Sequence, residues 1–180
     1  MAKRFKTDYF EKLNQLTEIC CDNIATAQKI ISSTSYASDK NPSTGNKIFR
    51  EIKTSLEKDF FAPFEREDIF ILSAKLNELS ENTHLLCLNA NVTDIFFQTT
   101  IECLQNITVL IRTIIIKLAK YPKQDNLYDY FSNAEKLLHD YSKNCRFAAN
   151  NNPLIQISAD CALICKEIIF LIQYILIKNS

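Results

Sequence analysis

The chain has 180 residues, 47% of them hydrophobic and 23% charged, which is enough to bury a core and excludes general disorder. Its 21 basic residues balance its 21 acidic ones, which disfavours attraction to nucleic acid or to an anionic membrane. One glycine and four prolines leave few of the tight turns that β-hairpins need, so the composition predicts an all-α protein.

The cysteines and the N-terminus both favour the cytoplasm. The seven cysteines contain no CxxC pair and no metal-finger spacing, and an odd number in a chain of this length predicts reduced thiols. Residues 1–12 are charged and amphipathic and lack the apolar run of a secretory signal.

Apolar residues recur every three or four positions along most of the chain, which is the period of one face of an α-helix. In chain order, the predicted helices span residues 6–31, 44–60, 65–90, 92–121 and 124–150, and a sixth follows Pro153. The prolines at 63, 122 and 153 mark breaks, because the residue before a proline avoids helical geometry.

The sequence supports more detailed predictions for three segments. Residues 36–46 contain few apolar side chains and include Gly45, so we expect them to lie loosely on the surface. The fourth helix is apolar nearly all round at residues 107–119, and we expect it or the sixth to be the most buried. Residues 168–177 are nearly all apolar, but Lys166 and Glu167 interrupt the run before it could span a bilayer, so a buried helix is favoured over a membrane anchor.

No recognised catalytic motif is present, which predicts a protein that is not an enzyme. GxSxG, P-loop and HExxH motifs are missing, and His84 and His139 lie on different predicted helices. Cys161 and Cys165 lie one turn apart, where they either pack in the core or bind a soft metal, and core packing is favoured.

The third predicted helix carries two carboxylates on an otherwise apolar stripe. The stripe consists of Ile71, Ala74, Glu78, Glu81, Leu85 and Leu88. If it is buried, Glu78 and Glu81 must be paired, neutralised or bound to a hard cation. If it lies at the edge of the buried face, both carboxylates reach solvent.

The segment that opens this helix resembles a known family. Residues Phe60-Phe61-Ala62-Pro63-Phe64-Glu65-Arg66-Glu67-Asp68-Ile69, followed by Leu72-Ser73-Ala74-Lys75-Leu76-Asn77-Glu78, are similar to the Phe-x-x-Pro-Phe-Asp-Arg-Glu-Asp-Ile stretch and Leu-Asp-Asp pair of PhoU-like phosphate-transport accessory proteins. The resemblance implies an all-α six-helix bundle made of two three-helix repeats. It places the repeats at about residues 1–90 and 91–180 of a single domain, residues 1–180.

The resemblance also implies metal-binding carboxylates on helices of both repeats. The positions that keep an oxygen ligand are Asn77, Glu78, Glu81, Glu135 and Glu167. The positions that have become neutral or apolar are Asn46, Asn133 and Leu163. A hard divalent cation needs several converging carboxylates, so we expect no metal, or a weakly bound divalent or transition metal ion.

The function that the resemblance implies is non-catalytic. It is an accessory or regulatory role in inorganic phosphate transport, performed by binding a phosphate permease on its cytoplasmic face, in the cytoplasm or peripherally at the inner membrane. The alternative is a helical interaction module unrelated to phosphate, forming a homodimer through an exposed apolar face. A metal-dependent enzyme is the third hypothesis.

Overall fold

The protein is an all-α bundle, as the sequence predicts. A computed structural model describes residues 8–32, 43–59, 62–90, 95–120, 127–147 and 153–179, and these ranges contain six helices and no strand. The helices are α1 (Tyr9–Ser32), α2 (Ser43–Lys58), α3 (Arg66–Asn89), α4 (Ile95–Leu118), α5 (Tyr128–Phe147) and α6 (Pro153–Lys178). The bounds lie close to those that the apolar periodicity predicted.

Helices from the two halves of the chain share one core. α3 contacts α1, α2 and α6, whereas α4 contacts α1, α5 and α6. The contacts α1–α3, α2–α3 and α1–α2 in the first half have counterparts α4–α6, α5–α6 and α4–α5 in the second. The division into two repeats is compatible with this arrangement and stays a prediction.

The apolar stripes meet in a single hydrophobic cluster. Side chains with no exposed surface include Leu16, Ile24, Leu76, Ile107, Ile111 and Ile168. Each buried Leu or Ile contributes roughly 1.5–3 kcal/mol to folding. Polar residues also join the elements, because Asn23 of α1 donates from Nδ2 to the Ser80 carbonyl and the Thr83 hydroxyl of α3, each at 3.3 Å.

Two expectations about burial are wrong. Residues 43–46 do not lie loosely, because they form the first turn of α2, where Gly45 is buried against α3; residues 36–42 lie outside the described residues. Nor is α4 or α6 the most buried helix, because among the described residues α3 has more buried positions than either. Val109 and Ile116 of α4 are 45% and 43% exposed, because the neighbouring helices cover only part of this apolar helix.

Within the described residues, every helix falls short of the length of apolar sequence that a bilayer crossing requires.

Candidate functional site

The described part of the segment that carries the family resemblance includes the bend that precedes α3. Pro63 lies in the bend, and the ring of Phe64 meets Phe10 of α1 edge to face, with centroids 5.7 Å apart. The Arg66 guanidinium donates a hydrogen bond to the Asp59 carbonyl, just beyond the end of α2. The described part of the segment therefore joins α1, α2 and α3 at one end of the bundle.

Two acidic residues near this bend have defined partners. Asp59 is buried and accepts a hydrogen bond from the Tyr9 hydroxyl at 2.9 Å. Asp68, only 4% exposed, accepts from the Lys178 ammonium of α6 at 3.3 Å, and Lys178 also pairs with Glu65. The pKa of Lys178 is raised, first by its hydrogen bond to Glu65. These carboxylates therefore link helices.

Two of the candidate metal ligands are joined by a lysine. The Lys75 ammonium lies 2.8 Å from Glu78 Oε2 on its own helix and 2.8 Å from Glu167 Oε2 on α6. The side chains of Glu78 and Glu167 are 46% and 45% exposed, so the carboxylates of this group reach solvent. The hydrogen bonds to Glu167 and then Glu78 raise the pKa of Lys75.

Asn77 and Glu81 belong to a second small group on α3. Asn77 donates from Nδ2 to Asn46 Oδ1 of α2 at 3.0 Å and to Glu81 Oε1 at 3.3 Å. Asn77 thus turns an N–H donor toward these two oxygens. Its own Oδ1 is buried without a hydrogen-bond partner among the described residues and lies beside Gly45. Glu81 is exposed, like Glu78, so both carboxylates on the α3 stripe reach solvent.

Glu135 lies elsewhere, on the exposed side of α5. With His139, Leu163 and Lys166 it lines a cavity of about 530 Å³ between α5 and α6. Asn133 is exposed, and the residues that line this cavity include none of the other four candidate ligands. The structure therefore divides the five candidate ligands into three places.

The residues present do not fit a divalent cation. The site between Glu78 and Glu167 already contains an ammonium, and two unit charges 4 Å apart near a protein surface repel by about 4 kcal/mol, which a divalent ion would double. At Glu81 the nearest partner is a donor N–H, which cannot coordinate a metal. Across the described ranges, no three His, Cys, Asp or Glu side chains are grouped so that they could hold a metal ion.

The cysteines on α6 lie in the core. Cys161 and Cys165 have no exposed surface, and burial raises the pKa of the Cys161 thiol to about 12 and that of Cys165 well above its usual value. A thiol held in the protonated state is a poor nucleophile. Both side chains belong to the hydrophobic core, which is the interpretation favoured from the sequence.

An exposed apolar row runs along α6 on the side away from the core. Its members are Leu163 (56% exposed), Phe170 (71%), Tyr174 (49%) and Ile177 (76%). Steps of seven, four and three residues place them on one face over about 21 Å. Exposed apolar patches of several hundred Å² mark interaction surfaces in many proteins.

Sequence reasoning missed the two lysines that organise this side of the bundle. For Lys75 a partial signal exists, because Glu78 follows three residues later on the same helix face. The acids that each lysine contacts on the other helix depend on how α3 and α6 pack. No local sequence pattern shows that packing. The α6 row was also missed, because the sequence predicts a buried helix at residues 168–177.

Comparison with known proteins finds similarity in structure only. No family model and no curated protein sequence matches the chain. Among solved structures, a protein described as a PhoU-like phosphate regulatory protein of Shewanella oneidensis MR-1 matches with a TM-score of 0.65 and 12% identity, over 95% of this chain and 100% of that chain. A second PhoU-like protein of the same organism matches with a TM-score of 0.60 and 12% identity, over 94% and 96%. The chain therefore has the PhoU-like fold, as the residues around Pro63 predicted.

Proposed function

We propose that the chain is a non-catalytic regulatory protein of inorganic phosphate transport that acts by binding a phosphate permease on its cytoplasmic side. The observation that carries this proposal is the likeness, along nearly the whole of both chains, to a protein described as phosphate regulatory. The coverage matters because the likeness extends to both halves of the bundle.

The surface of α6 supports binding as the mode of action. Leu163, Phe170, Tyr174 and Ile177 form one apolar row, and Lys166 and Glu167 flank it with opposite charges. An apolar centre with a polar rim is the usual anatomy of a protein interface. In this proposal the occupant of the row is the cytoplasmic surface of the permease.

The test is capture of the transporter by tagged protein from solubilised native membranes, with the captured proteins identified by mass spectrometry. We expect a phosphate permease to be enriched with the wild-type chain and lost with Phe170→Ser and Ile177→Ser. Ile116→Ser is the matched control, because Ile116 is an exposed apolar residue of α4, outside the row. Capture that Phe170→Ser leaves unchanged would exclude the α6 row, and no enrichment of any phosphate transporter would refute the proposal.

A second candidate is the homodimer, which the same row favours because a self-complementary apolar face can bury itself against its copy. Its signature is a dimeric mass in sedimentation that Phe170→Ser makes monomeric, together with no transporter capture.

A further inference from the structure

The structure assigns to Lys75 the place that a metal ion would take: its ammonium is a built-in cation that joins Glu78 of α3 to Glu167 of α6. The family resemblance placed both carboxylates in a metal site. In this chain a single Nζ atom lies 2.8 Å from an oxygen of each. The two acids therefore have a counter-charge supplied by the chain itself.

The geometry of the ammonium suits this role. Lys presents three N–H donors from one compact charge, so it can satisfy two carboxylates at once. The Lys75 side chain is 33% exposed, so it is the most buried of the three side chains. A metal ion bound by the same oxygens would have to displace it.

A second lysine shows the same pattern on the same pair of helices. Lys178 of α6 contacts both Glu65 and Asp68 at the start of α3. The α3–α6 contact thus contains two lysines, each shared by two acids. Because α3 and α6 come from opposite halves of the chain, these ammonium groups join the halves without a metal, with or without the proposed partner.

The neighbouring Asn77 also places hydrogen-bond donors against oxygens of the implied metal site, but its amide group carries no charge. Its amide N–H groups reach Asn46 Oδ1 on α2 and Glu81 Oε1 on α3, which are oxygens at other positions of the implied metal site. Donors supplied by the chain therefore contact four of the oxygens around which a metal site would have to form.

The test compares metal content and metal-dependent melting of wild type and Lys75→Met. Wild-type protein purified without chelator should carry no stoichiometric manganese, iron or zinc, and saturating manganese should leave its Tm unchanged. Lys75→Met removes the charge and keeps an apolar stem. Its Tm should fall by about 2–4 °C, which is the shift for roughly 1 kcal/mol in a chain of this size, and manganese should restore part of that loss.

Three further variants make the result specific. Lys12→Met is the matched control, because Lys12 pairs with the single carboxylate of Glu51 and its removal leaves no pair of acids. Adding Glu78→Gln and Glu167→Gln to Lys75→Met should abolish the response to manganese. Stoichiometric metal in the wild type that is lost on Glu78→Gln would overturn the assignment, and so would an equal manganese response in wild type, Lys12→Met and Lys75→Met. If Lys75→Met does not fold, the wild-type metal content and melting decide the question alone.

Discussion

Replacing Gly45 by alanine tests the closest approach of α2 to α3. A Cβ added at Gly45 would lie 2.5 Å from Ser80 Oγ and 3.3 Å from Asn77 Oδ1. Ser80 is 4% exposed, and its hydroxyl donates to the Asn77 carbonyl at 2.8 Å. The hydroxyl must therefore rotate away from its acceptor, or the two helices must separate.

The magnitude follows from three contributions. Overpacking a buried contact costs about 1–3 kcal/mol. A lost hydrogen bond adds about 1 kcal/mol if Ser80 rotates. Against these, alanine is favoured over glycine by up to about 1 kcal/mol in a helix interior, and by less in a first turn such as this one. We expect Gly45→Ala to lower the free energy of unfolding by about 1–2 kcal/mol.

Urea unfolding followed by circular dichroism measures this change, and a double-mutant cycle with Ser80→Ala isolates its cause. Without the hydroxyl, the Cβ at position 80 is 3.4 Å from the new methyl, an ordinary contact, and the 3.3 Å approach to Asn77 Oδ1 needs a shift of only a few tenths of an ångström. Gly45→Ala should then be neutral or slightly stabilising, which corresponds to a coupling of about 2 kcal/mol. An equal effect of Gly45→Ala in both backgrounds would refute the packing described here.

Three other outcomes are expected. Tyr141→Phe should cost about 1 kcal/mol in urea unfolding, because its buried hydroxyl bonds to a buried serine of α6 at 2.9 Å. Burial raises the pKa of Cys161 to about 12, so unfolding releases its proton above about pH 9. The contribution of this thiol to stability should be constant below that pH and be lost as the pH rises toward 12, and Cys161→Ala should make the measured fall in stability less steep. Lys178→Met should destabilise more than Lys12→Met, because it leaves the nearly buried Asp68 unpaired, and thermal melts of both variants measure the difference.

The helices could be predicted from the sequence because their signals are local. Apolar steps of three and four, with proline near the breaks, depend only on neighbours along the chain. Gly45 shows where this reasoning fails. The sequence predicts a loop residue, yet it lies in the first turn of α2, where the absence of a Cβ allows close packing against Ser80. That requirement depends on which helix packs opposite, which periodicity cannot show.

The charged residues of the candidate site show the same limit of prediction from the sequence. The sequence identified Glu78 and Glu81 as a pair of carboxylates one turn apart and allowed that both could reach solvent, and in the structure both are exposed. It could not show that Glu167 would share a lysine with Glu78, because that contact exists only once α6 packs on α3. The apolar surface of α6 was assigned to the core for a related reason, since hydropathy does not distinguish a core face from a binding face.

The ion pairs and the apolar row lie on one helix, and this arrangement has a consequence for binding. Lys75 and Lys178 tie α6 to α3 at two levels along the helix, through Glu167 and through Asp68. Phe170, Tyr174 and Ile177 of the row lie between those levels, on the adjoining exposed face of α6. A helix held at both levels presents its exposed side chains in a fixed orientation, which lowers the ordering entropy lost when a partner binds. Loss of Lys75 should therefore weaken partner capture less than loss of Phe170, because it loosens the support of the surface and leaves the contacting side chains in place.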